Sequence, residues 1–183
     1  MDSGGRPPFR NSYWVVPGSF LAGEYPGSPD PEELRARLEG LVEAGIETVL
    51  NLMEPEELNR AGIPFVPYEP EFKELAEAGG LLPFTARIPI RDMDVPPRPM
   101  MKRILDFVDR SLGKGSPLYL HCLGGRGRTG TVVGCYLRRH GLTAADGVLE
   151  AVRELRQGGY GMVGSSPETG EQRKMVLAWP RGA

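Results

Sequence analysis

The chain is poor in the residues that build disulfide scaffolds and metal centres. Among 183 residues there are two cysteines, Cys122 and Cys135, and two histidines, His121 and His140. A small secreted domain held by a disulfide framework would carry more cysteines. Two histidines without a companion ligand cluster offer no metal-binding pattern, so neither metal nor cofactor is expected. Long apolar runs are missing too: nothing approaches the roughly 18 consecutive apolar residues of a membrane span. The opening MDSGGRPPFRNSYW lacks the apolar stretch of a secretory signal. A basic excess is also absent. Lys plus Arg number 22 against 24 Asp plus Glu, a formal net charge of −2, which gives no broad basic face for nucleic acid. These absences point to a monomeric, cytoplasmic protein of a reducing compartment, without membrane insertion.

What is present suits one domain. Its length matches a single unit on a prior of roughly 150 residues per domain. The 40% apolar and 25% charged residues are those of an ordinary globular protein. The 25 glycines and 18 prolines punctuate the chain and form no low-complexity tract. Residues 1–12 read as a flexible polar arm and 13–183 as the domain. YWVV and SFLAGEY read as strands around the turn Pro17-Gly18. SPDPEELRARLEGLVEAG reads as a helix with Asp30 as N-cap, Pro31 at the first position and Gly45 at the C-terminal cap. IETVLNLM is a buried strand and PEELNRAG a short helix or turn. IPFVPYEP holds too much proline for a central strand. FKELAEAGG is a short helix, and PFTARIPI a strand leading into the loop RDMDVPPRP. PMMKRILDFVDRSLGKG is an amphipathic helix with Met101, Ile104, Leu105, Val108 and Leu112 on one face. PLYLHC is a short apolar strand and RTGTVVGCYLRRHG a helix. TAADGVLEAVRELRQGG is a helix capped by Thr143, and SPETGEQRKMVLAWP a last one stopped by Pro180. This alternation predicts an α/β fold: a central, mostly parallel, twisted sheet of about 4–5 strands flanked by helices.

The segment HCLGGRGRTG, 121–130, invites three readings. Gly125, Gly127 and Gly130 spell G-x-G-x-x-G with Glu150 beyond, but a dinucleotide site needs its acidic residue at the end of a second strand, and Glu150 lies in a helical pattern. A phosphate loop of the nucleotide-binding type needs a lysine before Thr131, and none is there. The third reading is a cysteine nucleophile in an anion cradle. Five residues separate Cys122 from Arg128. A loop of that length can turn successive N–H groups onto a tetrahedral anion, and Gly124, Gly125 and Gly127 give the backbone its freedom. The helix that follows directs its positive end at the same point, and Arg128 adds a planar two-pronged donor. Helix N-termini and nearby cations lower a thiol's pKa from about 8.5 to roughly 3.5–7.5, so Cys122 is expected as a thiolate.

These residues resemble the cysteine-dependent protein tyrosine phosphatase superfamily, in particular its small dual-specificity branch. His121-Cys122-(LGGRG)-Arg128-Thr129 matches its H-C-x5-R-[ST] signature. The resemblance implies a protein tyrosine phosphatase-like fold and hydrolysis of phosphomonoesters through a phosphocysteine. The substrates implied are phosphotyrosine and phosphoserine/threonine proteins or small phosphomonoesters, with phosphoinositides and inositol phosphates as the alternative. A phosphate-binding protein without catalysis is a further alternative. Cys122 becomes the nucleophile and Arg128 the phosphate ligand. An acid is expected on an upstream loop; aligning on Val95-Pro96 selects Asp92 and leaves Asp94 as second candidate. Leu123, Gly124, Gly125, Arg126, Gly127, Arg128 and Thr129 form the substrate loop, Thr129 also hydrogen-bonding the sulfur. His121 is an accessory residue behind the loop. Gln172 is another, positioned to place the hydrolytic water, against the plain reading of an exposed helix residue. Arg126 adds charge at the mouth. Cys135 reads as a buried structural thiol, and His140 as complementing a helix end.

Overall fold

The computed structural model describes residues 5–59, 61–160 and 164–183. Among them are five strands: β1 (Ser12–Val16), β2 (Phe20–Gly23), β3 (Thr48–Asn51), β4 (Phe84–Arg87) and β5 (Leu118–His121). Six helices accompany them: α1 (Pro31–Glu43), α2 (Glu69–Ala78), α3 (Arg98–Gly113), α4 (Arg128–Arg139), α5 (Val148–Tyr160) and α6 (Gly170–Leu177). The strands form one sheet in the order β1-β2-β5-β3-β4. β1 runs antiparallel to β2, and the other three pairings are parallel. The expected α/β sheet is therefore present.

β5 lies in the middle, in register with β2 on one side and β3 on the other. Strand side chains alternate between faces, and β5 shows what each face meets. Leu118, Leu120 and then Cys122 join the core with Ile104, Val108 and Val132, on the side of α3 and α4. Tyr119 joins the other core with Leu38, Leu41 and Phe72 of α1 and α2. Burial on both faces explains the nearly continuous apolar run. In such sheets the carboxyl ends of the parallel strands are where ligands bind, and Cys122 immediately follows that end of the central strand.

Local chemistry sets the helix ends. The Asp30 carboxylate accepts from the N–H groups of Glu32 (2.9 Å) and Glu33 (3.4 Å), Pro31 opens α1, and Gly45 with φ 76° follows its last turn. Of PFTARIPI residues 84–87 form β4, between Pro83 and Pro89, which lack a ladder N–H; Ile88 N and Ile90 N still donate to Asn51 O (3.0 Å) and Leu52 O (2.9 Å). IPFVPYEP forms no strand and contributes a single bridge, Leu58 to Pro64. PEELNRAG turns without forming a helix; Arg60 in it lies outside the described residues. Thr143 does not cap α5. Its hydroxyl donates to Ala144 O, and the helix begins only at Val148, after a turn through 145–147. Of the arm expected over 1–12, residues 1–4 lie outside the described residues; Phe9 is buried edge-on against Tyr119, and Ser12 already pairs in β1. No helix of the described residues is long and apolar enough to cross a membrane.

Replacing Asp30 by Ala removes two hydrogen bonds to orphan N–H groups. It is expected to cost about 1 kcal/mol of stability, read as a lower urea midpoint with an unchanged slope.

Candidate active site

The chain leaves β5 at His121 and re-enters regular structure at Arg128, the first residue of α4. Three contacts shape the loop between them. Tyr25 N donates to Leu123 O at 3.0 Å, and Ser166 Oγ donates to Arg126 O at 2.8 Å. Gly125 turns with φ 62°, pressed against β2: a Cβ there would stand 2.5 Å from Gly23 C and 2.7 Å from Glu24 N. Only glycine satisfies both conditions. Of the three glycines expected to free the loop, Gly125 alone has a positive φ; a Cβ at Gly127 would crowd the ends of the Glu168 and Gln172 side chains. Among the described residues, no acceptor pairs with the N–H groups of residues 123–128, whereas those of Gly130 and Thr131 enter the helix ladder. The loop thus presents six successive unpaired donors beside Cys122, which is 3% exposed.

Arg128 is 1% exposed, and each of its terminal nitrogens has a partner. Nη1 donates to Glu57 Oε2 at 2.7 Å and to Ile90 O at 3.1 Å; Nη2 donates to Glu57 Oε1 at 2.8 Å and meets Asp92 Oδ1 at 2.9 Å. Nε is buried without an acceptor. Burial works against the charge, but Glu57, Cys122 and Asp92 together raise the guanidinium pKa above its ordinary value. Glu57 was not singled out from the sequence. It lies on the turn that follows β3, 71 residues from Arg128. The signal available was its place: the chain after β3 emerges at the same sheet edge as the cysteine loop, because the two strands are parallel neighbours.

The two acid candidates point different ways. Asp92 reaches Arg128, with its side chain 55% exposed. Asp94 turns back on its own loop and accepts from Val95 N at 2.8 Å. Met93 between them holds φ 62°, a left-handed turn that sends the flanking side chains apart. Gln172 is fully buried, against the reading of an exposed helix residue. Its Oε1 accepts from Glu168 N (3.0 Å) and Thr169 N (3.1 Å), closing a capping box on α6, and its Nε2 donates to Asp94 O at 3.2 Å. Its amide oxygen is thus committed to backbone donors. Thr129, expected at the sulfur, directs its hydroxyl to Gly23 O at 3.5 Å. Arg126 lines the mouth and pairs with Glu168 at 3.3 Å. Cys122, Leu123, Arg126, Arg128, Asp92 and Glu57 surround a cleft of about 520 Å³.

His121 faces the opposite side of the sheet from Cys122. It is buried, stacked on Tyr119 at 5.7 Å, with Nε2 2.6 Å from Tyr68 Oη and Nδ1 3.2 Å from Cys122 O. Burial lowers its pKa to about 3, and Arg87 and Arg128 act in the same direction, so it is neutral at pH 7. Cys135 is buried in α4, where desolvation raises its pKa far above the usual thiol range, and both cysteines are free thiols. His140 caps the C-terminus of α4 and meets Asp109 at 2.8 Å.

Comparison with known proteins gives a consistent result. A family model described as "Swiss Army Knife protein, DSP-PTPase phosphatase domain" matches residues 9–163. The chain is 32% identical over 95 residues to an uncharacterized protein, MJECL20, of Methanocaldococcus jannaschii, covering 52% of this chain and 58% of that one. It is 29% identical over 113 residues to phosphatidylglycerophosphate phosphatase PTPMT1 of Arabidopsis thaliana, covering 51% and 34%. The match thus spans from a third to somewhat over half the length of these relatives. Among solved structures, Tk-PTP in its active form superposes with a TM-score of 0.63 at 22% identity, over 91% of this chain and 93% of that one. PTPMT1 in complex with PI(5)P gives 0.66 at 17%, over 92% and 94%. The catalytic core of the PP-IP phosphatase SIW14 from S. cerevisiae gives 0.63 at 16%, over 96% and 88%. At these identities the superpositions establish the shared fold.

The burial of His121 makes stability depend on pH. Between its unfolded pKa near 6.5 and its folded value of about 3 the unfolded chain binds the extra proton. Stability contributed by the neutral ring is therefore complete above pH 6.5 and is lost as pH falls towards 3, with a limiting slope of about 1.4 kcal/mol per pH unit. Urea unfolding between pH 4 and 7 is expected to show a shallower acid slope for His121→Asn than for the unaltered protein.

Proposed function

The chain belongs to the DSP-PTPase phosphatase domain family, and from that premise we propose that it hydrolyses phosphomonoesters through a phosphocysteine intermediate. The observation that carries this reading is the row of six unpaired N–H groups beside Cys122, closed by the buried guanidinium of Arg128 whose Nε has no acceptor. Such donors, in the loop that follows Cys122, suit a tetrahedral oxyanion. The Cys122 thiolate attacks phosphorus, an S–P bond forms, and the P–O bond to the leaving group breaks. Asp92 gives its proton to the departing oxygen. Water then attacks the phosphocysteine and yields its proton to Asp92; the S–P bond breaks, and inorganic phosphate leaves with the thiolate restored. Loop N–H groups and Arg128 hold the equatorial oxygens through both steps. For the phosphate to meet Arg128 Nη2, the Asp92 carboxylate must move off that nitrogen towards the leaving group. The resemblance implies no metal, so turnover is expected in the presence of a chelator.

A cleft of about 520 Å³ admits an aryl phosphate, and phosphotyrosine is the substrate proposed first, with phosphoserine and phosphothreonine proteins beside it. The second reading, a phosphoinositide or inositol phosphate, draws on Arg126 at the mouth and on the substrates named for PTPMT1 and SIW14. Against it stands Glu168, which cancels much of the Arg126 charge.

Hydrolysis of an aryl phosphate tests the mechanism. Cys122→Ser is expected to abolish turnover while phosphate still binds. Asp92→Asn is expected to lower kcat by at least about 100-fold, most for poor leaving groups. Activity surviving in Cys122→Ser would remove the proposal. Initial rates on phosphotyrosine, phosphothreonine, phosphoinositide and inositol-phosphate substrates at equal concentration decide the class. Arg126→Ala is expected to leave the phosphotyrosine rate within about threefold and to lower the polyanionic ones more, since only those add charge at the rim.

A further inference from the structure

A second hollow adjoins the Cys122 cleft, and the mechanism above does not use it. It measures about 350 Å³ and shares two wall residues with the cleft, Glu57 and Leu58. Phe65 lines it as well, packed on Tyr25 with ring centroids 5.1 Å apart. The segment after β3 is folded back on itself to shape this hollow. Leu58 bridges to Pro64, Asn59 N donates to Ile63 O, and Gly62 N donates to Asn59 O, both at 2.9 Å. Arg87 of β4 fastens the start of the segment: its Nη1 donates to Met53 O at 3.1 Å and to Glu54 O at 3.2 Å.

The charges on its wall do not balance. The lining carries four carboxylates, Glu54, Glu56, Glu57 and Glu69, against one guanidinium, Arg87. Glu57 is answered by Arg128, and Glu69 by Arg87 Nη2 at 3.3 Å. Arg87 is then spent, since the two backbone carbonyls take its other terminal nitrogen. Among the described residues no cation pairs with Glu54 or Glu56, and both are exposed. These two charges stand beside apolar surface, for Leu58 is 49% and Val66 38% exposed. A cation carried on an apolar stem suits such a wall, and lysine and arginine side chains are built that way. Anionic lipid headgroups are repelled by it. The shared wall also puts the hollow within reach of a bound substrate, because three residues of extended chain span about 10 Å.

We infer that this hollow is a substrate-selecting groove whose occupant is a lysine or arginine side chain flanking the phosphorylated residue of a protein substrate. The inference rests on the phosphatase reading of the Cys122 cleft and deepens it, since it names phosphoproteins with a basic flank as the substrate class. Glu57 keeps its place on Arg128. Glu54 and Glu56 answer the incoming cation, while Leu58 and Val66 cover its stem. Selection of this kind works by attraction and by exclusion together: a basic flank gains two carboxylates, and an acidic flank meets them as like charges.

Phosphotyrosine peptides built on alanine and glycine test this, each with one lysine or one glutamate within three positions of the phosphotyrosine on either side. A bare aryl phosphate is run beside them. The readout is kcat/KM for a lysine peptide over that for its glutamate counterpart. Taken within each protein, this ratio cancels any change common to all substrates. The unaltered protein is expected to give a ratio of about five to ten at one position or more, falling towards one in about 0.5 M salt. Glu54→Gln/Glu56→Gln is expected to bring the ratio to within about twofold of one, and Glu54→Lys/Glu56→Lys to invert it. Both side chains are exposed, so the fold does not depend on them. With the aryl phosphate turned over, a ratio near one at every position would overturn the groove and leave the mechanism standing. A ratio unchanged in Glu54→Gln/Glu56→Gln would do the same. So would hydrolysis of phosphatidylcholine vesicles holding about one tenth phosphatidylinositol phosphate while the peptides stay intact. If neither the aryl phosphate nor any peptide is hydrolysed, the phosphatase reading fails, and this inference with it.

Discussion

The guanidinium of Arg128 is the point on which the cleft is assembled. It is a full charge with almost no exposure, and it can sit there only because oxygens from separate parts of the chain meet it. Glu57 comes from the turn after β3, Ile90 and Asp92 from the loop after β4, and the arginine itself opens α4. Removing one partner from such a buried group typically costs about 3–5 kcal/mol, mainly through the charge left unanswered. The Glu57 fork therefore does more than orient one side chain. It also holds the guanidinium where Ile90 O and the Asp92 carboxylate, from the loop after β4, can meet it.

A second constraint comes from the alternation of β5. His121 and Cys122 are neighbours in sequence but lie on opposite faces of the sheet, as strand geometry requires. The histidine falls into the aromatic layer of Tyr25, Tyr68 and Tyr119, where burial keeps it neutral. It cannot serve as the base that so often stands beside a nucleophilic cysteine. In the mechanism proposed above, activation of the sulfur is therefore left to fixed charges and loop N–H groups. That division explains why the loop is so heavily braced: Tyr25, Gly23 and Ser166 each hold one of its residues from a different direction.

The sheet, most helices and the glycine loop were legible in the chain because their signals are local. Apolar alternation, an Asp-Pro helix start, and a strand running into C-x5-R each lie within a few residues. Pro83 and Pro89 flank β4, whose extent came out shorter than PFTARIPI suggested. The misses share a cause. Thr143 looked like a cap, but the chain spends 145–147 on a turn before α5 starts. Glu57 sits in a stretch with three other acidic or amide residues, and nothing local distinguishes it from Glu54 or Glu56; only the 71-residue contact does. Gln172 reads as an exposed helix residue or a water-placing one, and its burial as a cap and a strut depends on Asp94, 78 residues away.

The strengths of these attachments are unequal, and their order bears on how the cleft works. Arg128 and Glu57 are joined by two short charge-assisted bonds out of solvent. The acid loop is held to the rest of the site more loosely. Asp92 meets Arg128 with half its side chain in water, where an ion pair contributes about 0–1 kcal/mol. Asp94 O receives a single neutral hydrogen bond from Gln172, worth about 0.5–1.5 kcal/mol net. When an anion competes for Arg128, the Asp92 side therefore yields before the Glu57 side does. Gln172 loses only its bond to Asp94, and its carbonyl oxygen keeps both capping bonds, so α6 and its hold on the cysteine loop through Ser166 and Glu168 need not change. The proposed mechanism asks for the same order: a cysteine loop that stays in place and an Asp92 carboxylate that leaves Arg128.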